Sequence, residues 1–270
     1  MFRPLAVGER VIVVDAKGRQ HLVTLLEDGE FHTHAGFIPH GAFIGQEEGV
    51  TVRTAVGARY TAMRPTLSDV VFRMPRGAQV IYPKDLGPIM VMADIHPGVR
   101  VLEAGVGSGA LSMTMVRAGA DVVGYEIRED FARRARSNVA AFVGDAAAAE
   151  RYRVEVRDVY EGIDEAGLDA VLLDLPEPWH VVPHAEAALR GGGTLVAYNP
   201  SITQAAQLRE AMVDSGFELA ETVEFLRRTW HVEGQAVRPD HRMVAHTGFL
   251  TSARLLGPVP GGLRPARLQR

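Results

Sequence analysis

The stretch Val99-Arg-Val-Leu-Glu-Ala-Gly-Val-Gly-Ser-Gly-Ala-Leu111 constrains the fold more than any other part of this chain. An apolar run, Val99 to Ala104, meets a turn carrying Gly105, Gly107 and Gly109, and residues of helical character follow. Glycine at such a turn lets the backbone bend sharply and sets bare amides at a helix N-terminus against a ligand. Twenty-one residues after Gly105, at the end of a second apolar run, comes Glu126. A carboxylate in that place can accept from both hydroxyls of a ribose. Two classes of nucleoside cofactor use this arrangement, and the pattern alone does not choose between them.

A nicotinamide site asks for G-x-G-x-x-G/A, which Gly105, Gly107 and Ala110 formally satisfy. With Glu103 ahead, the stretch reads E-x-G-x-G-x-G and resembles motif I of class I S-adenosylmethionine (SAM) methyltransferases. There the loop faces a methionine tail and a ribose rather than a pyrophosphate. A glycine turn without a ligand is the plainest alternative. Gly109, the Leu189-Arg-Gly-Gly-Gly-Thr-Leu195 turn and Asp174-Leu-Pro-Glu-Pro-Trp179 all disfavour the nicotinamide enzyme.

From residue 99 strand and helix patterns alternate, which specifies a mostly parallel sheet with right-handed crossovers. Tyr152–Arg157 alternates as a strand and delivers Asp158; Leu168–Leu173 is a buried strand delivering Asp174. The Leu189–Leu195 segment turns a helix into a strand ending Ala197-Tyr198-Asn199-Pro200, and Ser201 can cap a helix to about Asp214. Upstream, Gln79–Asp85 reads as a short strand stopped by Pro83, with an amphipathic helix on Leu86, Ile89, Met90 and Ala93 after it. Glu103, Glu126, Asp158 and Asp174 then come from successive strands and share the carboxyl edge, where open α/β sheets bind ligands. The expected class is α/β, a Rossmann-like, mostly parallel sheet behind a small N-terminal all-β domain.

Residues 1–64 carry that β domain, with hairpin signals at Asp15-Ala-Lys-Gly18 and around Val56-Gly57. Residues 65–256 make the α/β domain, and 257–270, rich in Pro, Gly and Arg, read as a disordered basic tail. Phe31-His-Thr-His34, with His21 and His40, lacks a carboxylate or cysteine to complete a metal site, so these are expected as turn and interface histidines. The chain has no cysteine, no apolar run of the roughly 20 residues a membrane span needs, and an apolar start too short for a signal peptide. A cytoplasmic protein is expected. A net charge of −4 does not advertise a polyanion partner. Any such partner must meet local basic patches, such as the arginines between 227 and 242, or surfaces pooled across subunits.

Asp174-Leu-Pro-Glu-Pro-Trp179 is the stretch most suited to chemistry. Amino-group methyltransferases commonly carry an acid or amide followed by prolines and an aromatic here. The acid accepts from the amino hydrogens of the target, and the aromatic gives a flat wall. Methylating a ring nitrogen of adenine spreads positive charge over ring and amine, which a fixed carboxylate stabilises as it develops. Leu175 and Glu177 stretch the motif, so Trp179 is either wall or core.

Taken in order, Phe31–His34, Gln79–Asp85, Val101–Leu111, Leu173–Trp179 and Ala245-His-Thr-Gly-Phe-Leu250 resemble the bacterial and archaeal tRNA (adenine-N1)-methyltransferase family (TrmI-like). That family acts on the adenine at position fifty-eight of the T-loop. The resemblance covers about residues 8 to 256. It implies a class I SAM-dependent enzyme, a tRNA substrate, a homotetramer and no metal. It places the catalytic aspartate at Asp174 and sets Tyr198 against the target base. The cofactor falls to Tyr82, Glu103, Gly105, Gly107, Ser108, Gly109, Ala110, Leu111, Glu126 and Asp158, with Asp174 beside it. Ala245 stands where glycine is expected before His-Thr. The alternatives are a SAM enzyme for another substrate and a non-catalytic tRNA-binding subunit.

Overall fold

The hairpin expected around Gly18 forms in the computed structural model, which describes residues 3–77 and 79–257. Asp15 Oδ1 accepts from the amides of Lys17 and Arg19, both at 2.9 Å, and Gly18 supplies the positive φ of +76° that closes the turn. β1 (Arg10–Asp15) and β2 (Gln20–Thr24) flank it. β3 (Glu30–Thr33) and β4 (Gly36–Pro39) make a separate two-stranded ribbon, and β5 (Val50–Arg53) and β6 (Arg59–Met63) complete an antiparallel sheet of order β2-β1-β6-β5. Val11, Val13, Ile38, Phe43, Tyr60 and Ala62 fill its core.

α1 (Leu67–Arg73) starts with a capping box, Thr66 and Asp69 exchanging side-chain and backbone hydrogen bonds. The chain divides into two units after Met74, not after residue 64 as read from the sequence. The reason is local: α1 packs on β2, and Arg73 donates to Gln20 Oε1 at 2.6 Å. Apart from Gly257, the expected tail at 257–270 lies outside the described residues.

In the second unit Gln79–Tyr82 forms no strand. Instead Tyr82 caps α2 (Pro83–Met92), with Pro83 in the first turn, where its fixed φ is pre-set for a helix. Beyond it come β7 (Arg100–Ala104), α3 (Ala110–Arg117), β8 (Asp121–Glu126), α4 (Glu129–Val143), α5 (Asp145–Arg151) and β9 (Tyr152–Val156). β10 (Leu168–Leu173), α6 (Val182–Ala188), β11 (Leu189–Asn199), α7 (Ile202–Ala211), β12 (Phe217–Glu224), the hairpin β13 (Trp230–Glu233)–β14 (Ala236–Pro239) and β15 (Phe249–Leu255) follow. The seven-stranded sheet runs β12-β15-β11-β10-β7-β8-β9, parallel from β11 to β9, with β15 antiparallel to both its neighbours. The glycine triplet 191–193 is not a turn before β11 but an irregularity within it. Leu168 pairs with Leu189 and Ala170 with Thr194, so three extra residues of β11 are taken up between the two pairings.

Side-chain alternation sorts the faces. Leu102 and Ala104, Tyr125, Val171 and Leu173, and Leu195 and Ala197 all join one core with α6 and α7. Glu103, Glu126 and Tyr198 therefore stand on the opposite face, the one α3 covers, and Asp174 continues that alternation one residue past β10.

Candidate active site

The chain leaves β7, builds β8 and β9 outward on one side, and returns through β10 on the other. Between β7 and β10 lies the switch point at which such sheets open a crevice. Gly105 (φ +84°) turns the backbone there. A Cβ on it would fall 2.0 Å from the carbonyl oxygen of Asp174, so only glycine lets the two strand ends meet this closely. Gly107 (φ +56°) faces open space, with nothing within 4 Å of an added Cβ. Gly109 (φ +83°) caps α3 against Ala135 of α4. Ser108 is buried with its hydroxyl unpartnered, and Ala110 and Leu111 are buried in the first turn of α3.

Three carboxyl groups converge behind this loop. Glu103 is buried and accepts from Ser112 Oγ at 2.5 Å, with Tyr152 donating onward to Ser112 at 3.0 Å. Burial pushes its carboxyl up to about 8, with the charges of Asp174 and Glu126 adding to the rise. Glu126 Oε2 accepts from the Gly107 amide and Oε1 from the Arg128 amide, each at 3.0 Å. The glycine loop and the ribose-binding candidate are thus one unit. Asp174 donates its amide to Ala104 O at 2.9 Å, which carries the β10–β7 ladder one step further. Burial and the Glu126 charge push its carboxyl up to about 7. Among the described residues no side chain or amide donates to that carboxyl, and none of the three acids is in an ion pair.

A cluster of acids without a cation suits a positively charged ligand, and the open space at Gly107 leaves room for one to lie along the loop. Both features fit the sulfonium and ammonium of SAM. Asp158 stands at the same edge with one oxygen engaged, Oδ1 accepting from the Tyr160 amide at 2.9 Å. Among the described residues no hydrogen bond reaches its other oxygen. At the opposite edge a cavity of about 380 Å³ between Arg100, Asp121, Arg151 and Arg153 is a ledge of paired charges, with Arg151 on Asp121 and Arg153 on Glu165.

Tyr198 is buried and donates to the carbonyl of Thr247 at 2.5 Å. Burial pushes its hydroxyl up to about 12, and nearby Asp85, Asp174 and Tyr82 raise it further. Asp174 and Tyr82 are thus near enough for their charges to act on Tyr198. What sequence reasoning missed lies behind it. Thr247 Oγ1 donates to Asp85 Oδ2 at 2.7 Å; Lys84 Nζ donates to Asp85 Oδ1 at 2.7 Å and to Phe225 O at 2.6 Å. Asp85 is wholly buried. Gly248 exists for this contact too, since a Cβ there would fall 2.4 Å from Cζ of Tyr198. His246 bridges Glu224 Oε1 (2.7 Å) and Pro200 O (3.0 Å), and Glu224 raises its pKa. The only sequence signal is that Tyr82–Asp85 and Ala245–Gly248 both lie in stretches that carry the family resemblance. Trp179 donates to His180 Nε2 at 3.1 Å in a short 3₁₀ turn and is half-buried.

Comparison with known proteins shows which family the chain resembles. Residues 61–238 match the family described as the tRNA methyltransferase complex GCD14 subunit, and residues 4–52 match the TrmI-like N-terminal family. The chain is 38% identical over 248 residues to a tRNA (adenine(58)-N(1))-methyltransferase TrmI of Thermus thermophilus, covering 90% of this chain and 96% of that one. It is 34% identical to a tRNA (adenine(57)-N(1)/adenine(58)-N(1))-methyltransferase TrmI of Methanocaldococcus jannaschii, over 90% and 94%. Among solved structures, one described as a SAM-dependent O-methyltransferase from Thermotoga maritima superposes with a TM-score of 0.88 at 33% identity, covering 94% and 96%. That of TrmI from Aquifex aeolicus gives 0.82 at 27%, covering 95% and 100%.

Proposed function

Because this chain belongs to the TrmI-like tRNA (adenine-N1)-methyltransferase family, we propose that Asp174 holds the amino group of adenine 58 in the tRNA T-loop while its N1 is methylated. The protein is a SAM-dependent tRNA methyltransferase with a class I fold. The observation that carries the proposed site is the unengaged carboxyl of Asp174, beside two further acids and no cation, at the switch point of the sheet.

Bound SAM supplies an electrophilic methyl group on a sulfonium. Glu126 would hold its ribose hydroxyls and Asp158, through Oδ2, its adenine amino group. The Gly105–Leu111 loop and Glu103 would surround its tail, and Tyr82 would line its pocket. The target adenine leaves its stacked loop at a cost of a few kcal/mol. Ionised Asp174 then accepts from its exocyclic amine and fixes the ring so that N1 is presented in line. N1 carries its own lone pair, so no base acts before transfer. Charge spreading over the ring and amine meets the fixed carboxylate of Asp174, which stabilises it as it develops. Tyr198 walls the base.

The first unit, residues 1–74, would carry RNA or subunit contacts. Among the described residues no group of His, Asp and Glu could hold a metal ion, and no helix is long and apolar enough to cross a membrane. A homotetramer working in the cytoplasm, where tRNA is, completes the proposal. Incubation with unmodified tRNA and methyl-labelled SAM, followed by nucleoside mapping, tests it. One labelled 1-methyladenosine at position 58 is expected. Label on an oxygen, or on a protein or small molecule in place of tRNA, rejects it.

A further inference from the structure

Phe31-His-Thr-His34 plays no part in the chemistry above, yet within the first unit it helps build a concave site. A cavity of about 310 Å³ is lined by Arg19, His21, Phe31, His34 and Tyr60, among others. That is the size range of small-ligand pockets. Its floor is aromatic. The His21 and Phe31 rings lie 5.3 Å apart at 56°, and Phe31 meets Tyr60 at 5.7 Å and 76°. Tyr60 is buried and Phe31 half-buried, so packing holds those two rings, whereas His21 and His34 are exposed.

At the rim, Arg19 Nε donates to Asp15 Oδ2 at 2.6 Å, and Asp15 is itself braced by the amides of its own turn. The guanidinium is thereby fixed by its stem side. Its terminal nitrogens make no hydrogen bond among the described residues. Of the neighbouring acids, Asp15 pairs with Arg19, and Glu30 lies 3.1 Å from His32 Nε2.

We propose that this site takes one unpaired nucleotide of the tRNA substrate, its base stacked on the rings and its phosphate on the free fork of Arg19. The inference rests on the function proposed above and names a second place where the same substrate is gripped. Flat faces beside a pre-oriented guanidinium are the combination that stacks a base and clamps its phosphate. Residues 1–74 hold eight basic and eight acidic side chains, so no broad positive field attracts the RNA here and recognition has to be local.

Two measurements on the full-length protein with SAM present decide it. In the first, tRNA carrying photoreactive thiouridine at unpaired positions is crosslinked and the labelled peptides are mapped; label within residues 19–34 is expected. In the second, Arg19→Gln, His34→Ala and Phe31→Leu, which stays apolar but loses the ring, are assayed. Each should raise the KM for tRNA several-fold, with kcat and SAM affinity unchanged. Arg19→Gln should also lower the salt dependence of binding by about one phosphate contact. Absence of label from 19–34, or an unaltered KM in all three variants, overturns the proposal. So does a changed oligomeric state with unchanged tRNA binding, which would make the face a contact between copies. If the wild-type protein does not methylate tRNA, the function proposed above fails, and crosslinking alone decides the pocket.

Discussion

A carboxyl group held at about 7 by burial and by Glu126 is half-charged at neutral pH, and it accepts a hydrogen bond fully only when ionised. The kcat/KM for tRNA should therefore fall about tenfold per pH unit below 6 and level off above 8. Asp174→Asn should remove the step near 7, and a step surviving in that variant would assign it elsewhere. Asp174→Ala should lower kcat by about 10²–10³ while leaving SAM affinity within a few-fold. An unchanged kcat would dismiss the residue. Linkage runs in a definite direction. Asp174 and Glu103 bind protons in the folded protein up to about 7 and 8, whereas the unfolded chain releases them near 4. The contribution of these two groups to stability therefore declines as pH rises from about 4 to 8. A cationic cofactor reverses the penalty by favouring ionisation, so SAM binding at pH 7 should release protons, read as a binding enthalpy that varies with the buffer. A buffer-independent enthalpy would contradict this. Strand-end acids were legible because period-two alternation and strand limits place them. Asp85 and Thr247 were not, since 162 residues separate the partners and no local pattern links them.

At the scale of elements, proline misled and glycine guided. Gln79–Tyr82 has β-forming residues before a proline, yet Leu86 and Ile89 bury one face of α2 and draw the helix start back to Pro83. The result delivers Lys84 and Asp85 to the interior from the first helical turn. A buried ion pair of this kind stabilises little as a pair, and breaking it is costly. Lys84→Met should destabilise by about 3–5 kcal/mol, because Asp85 is left charged and buried. Lys84→Met combined with Asp85→Leu should recover most of that loss in urea denaturation. If the double variant is no more stable than the single one, the cost lies in packing instead. Thr247→Val orphans only one Asp85 oxygen and should cost about 1–3 kcal/mol. If Tyr198 walls the base through this chain of contacts, the same variant should lower kcat more than SAM affinity.

For the whole molecule, alternation of strand and helix sufficed to specify the parallel sheet and its carboxyl edge, since right-handed crossovers leave few topologies. What alternation does not encode is the exposed apolar surface of the last third. The β13–β14 hairpin and its flanks expose Leu226, Trp230, Val232, Val237, Met243 and Val244, with Val232 at 70%. A two-stranded ribbon is marginal by itself, and a run of apolar side chains this dense marks a contact surface. The same segment holds Arg227, Arg228, Arg238 and Arg242, in a chain whose net charge is −4. Pairing these hairpins between subunits would bury the apolar residues and pool the arginines, giving an acidic chain a basic surface for RNA. Light scattering behind size exclusion should then give at least twice the chain mass, and four times for the proposed homotetramer. Val237→Glu should reduce that mass and weaken tRNA binding at least tenfold, with SAM affinity kept. A wild-type monomer that binds tRNA at full strength would show instead that one copy supplies the whole RNA surface.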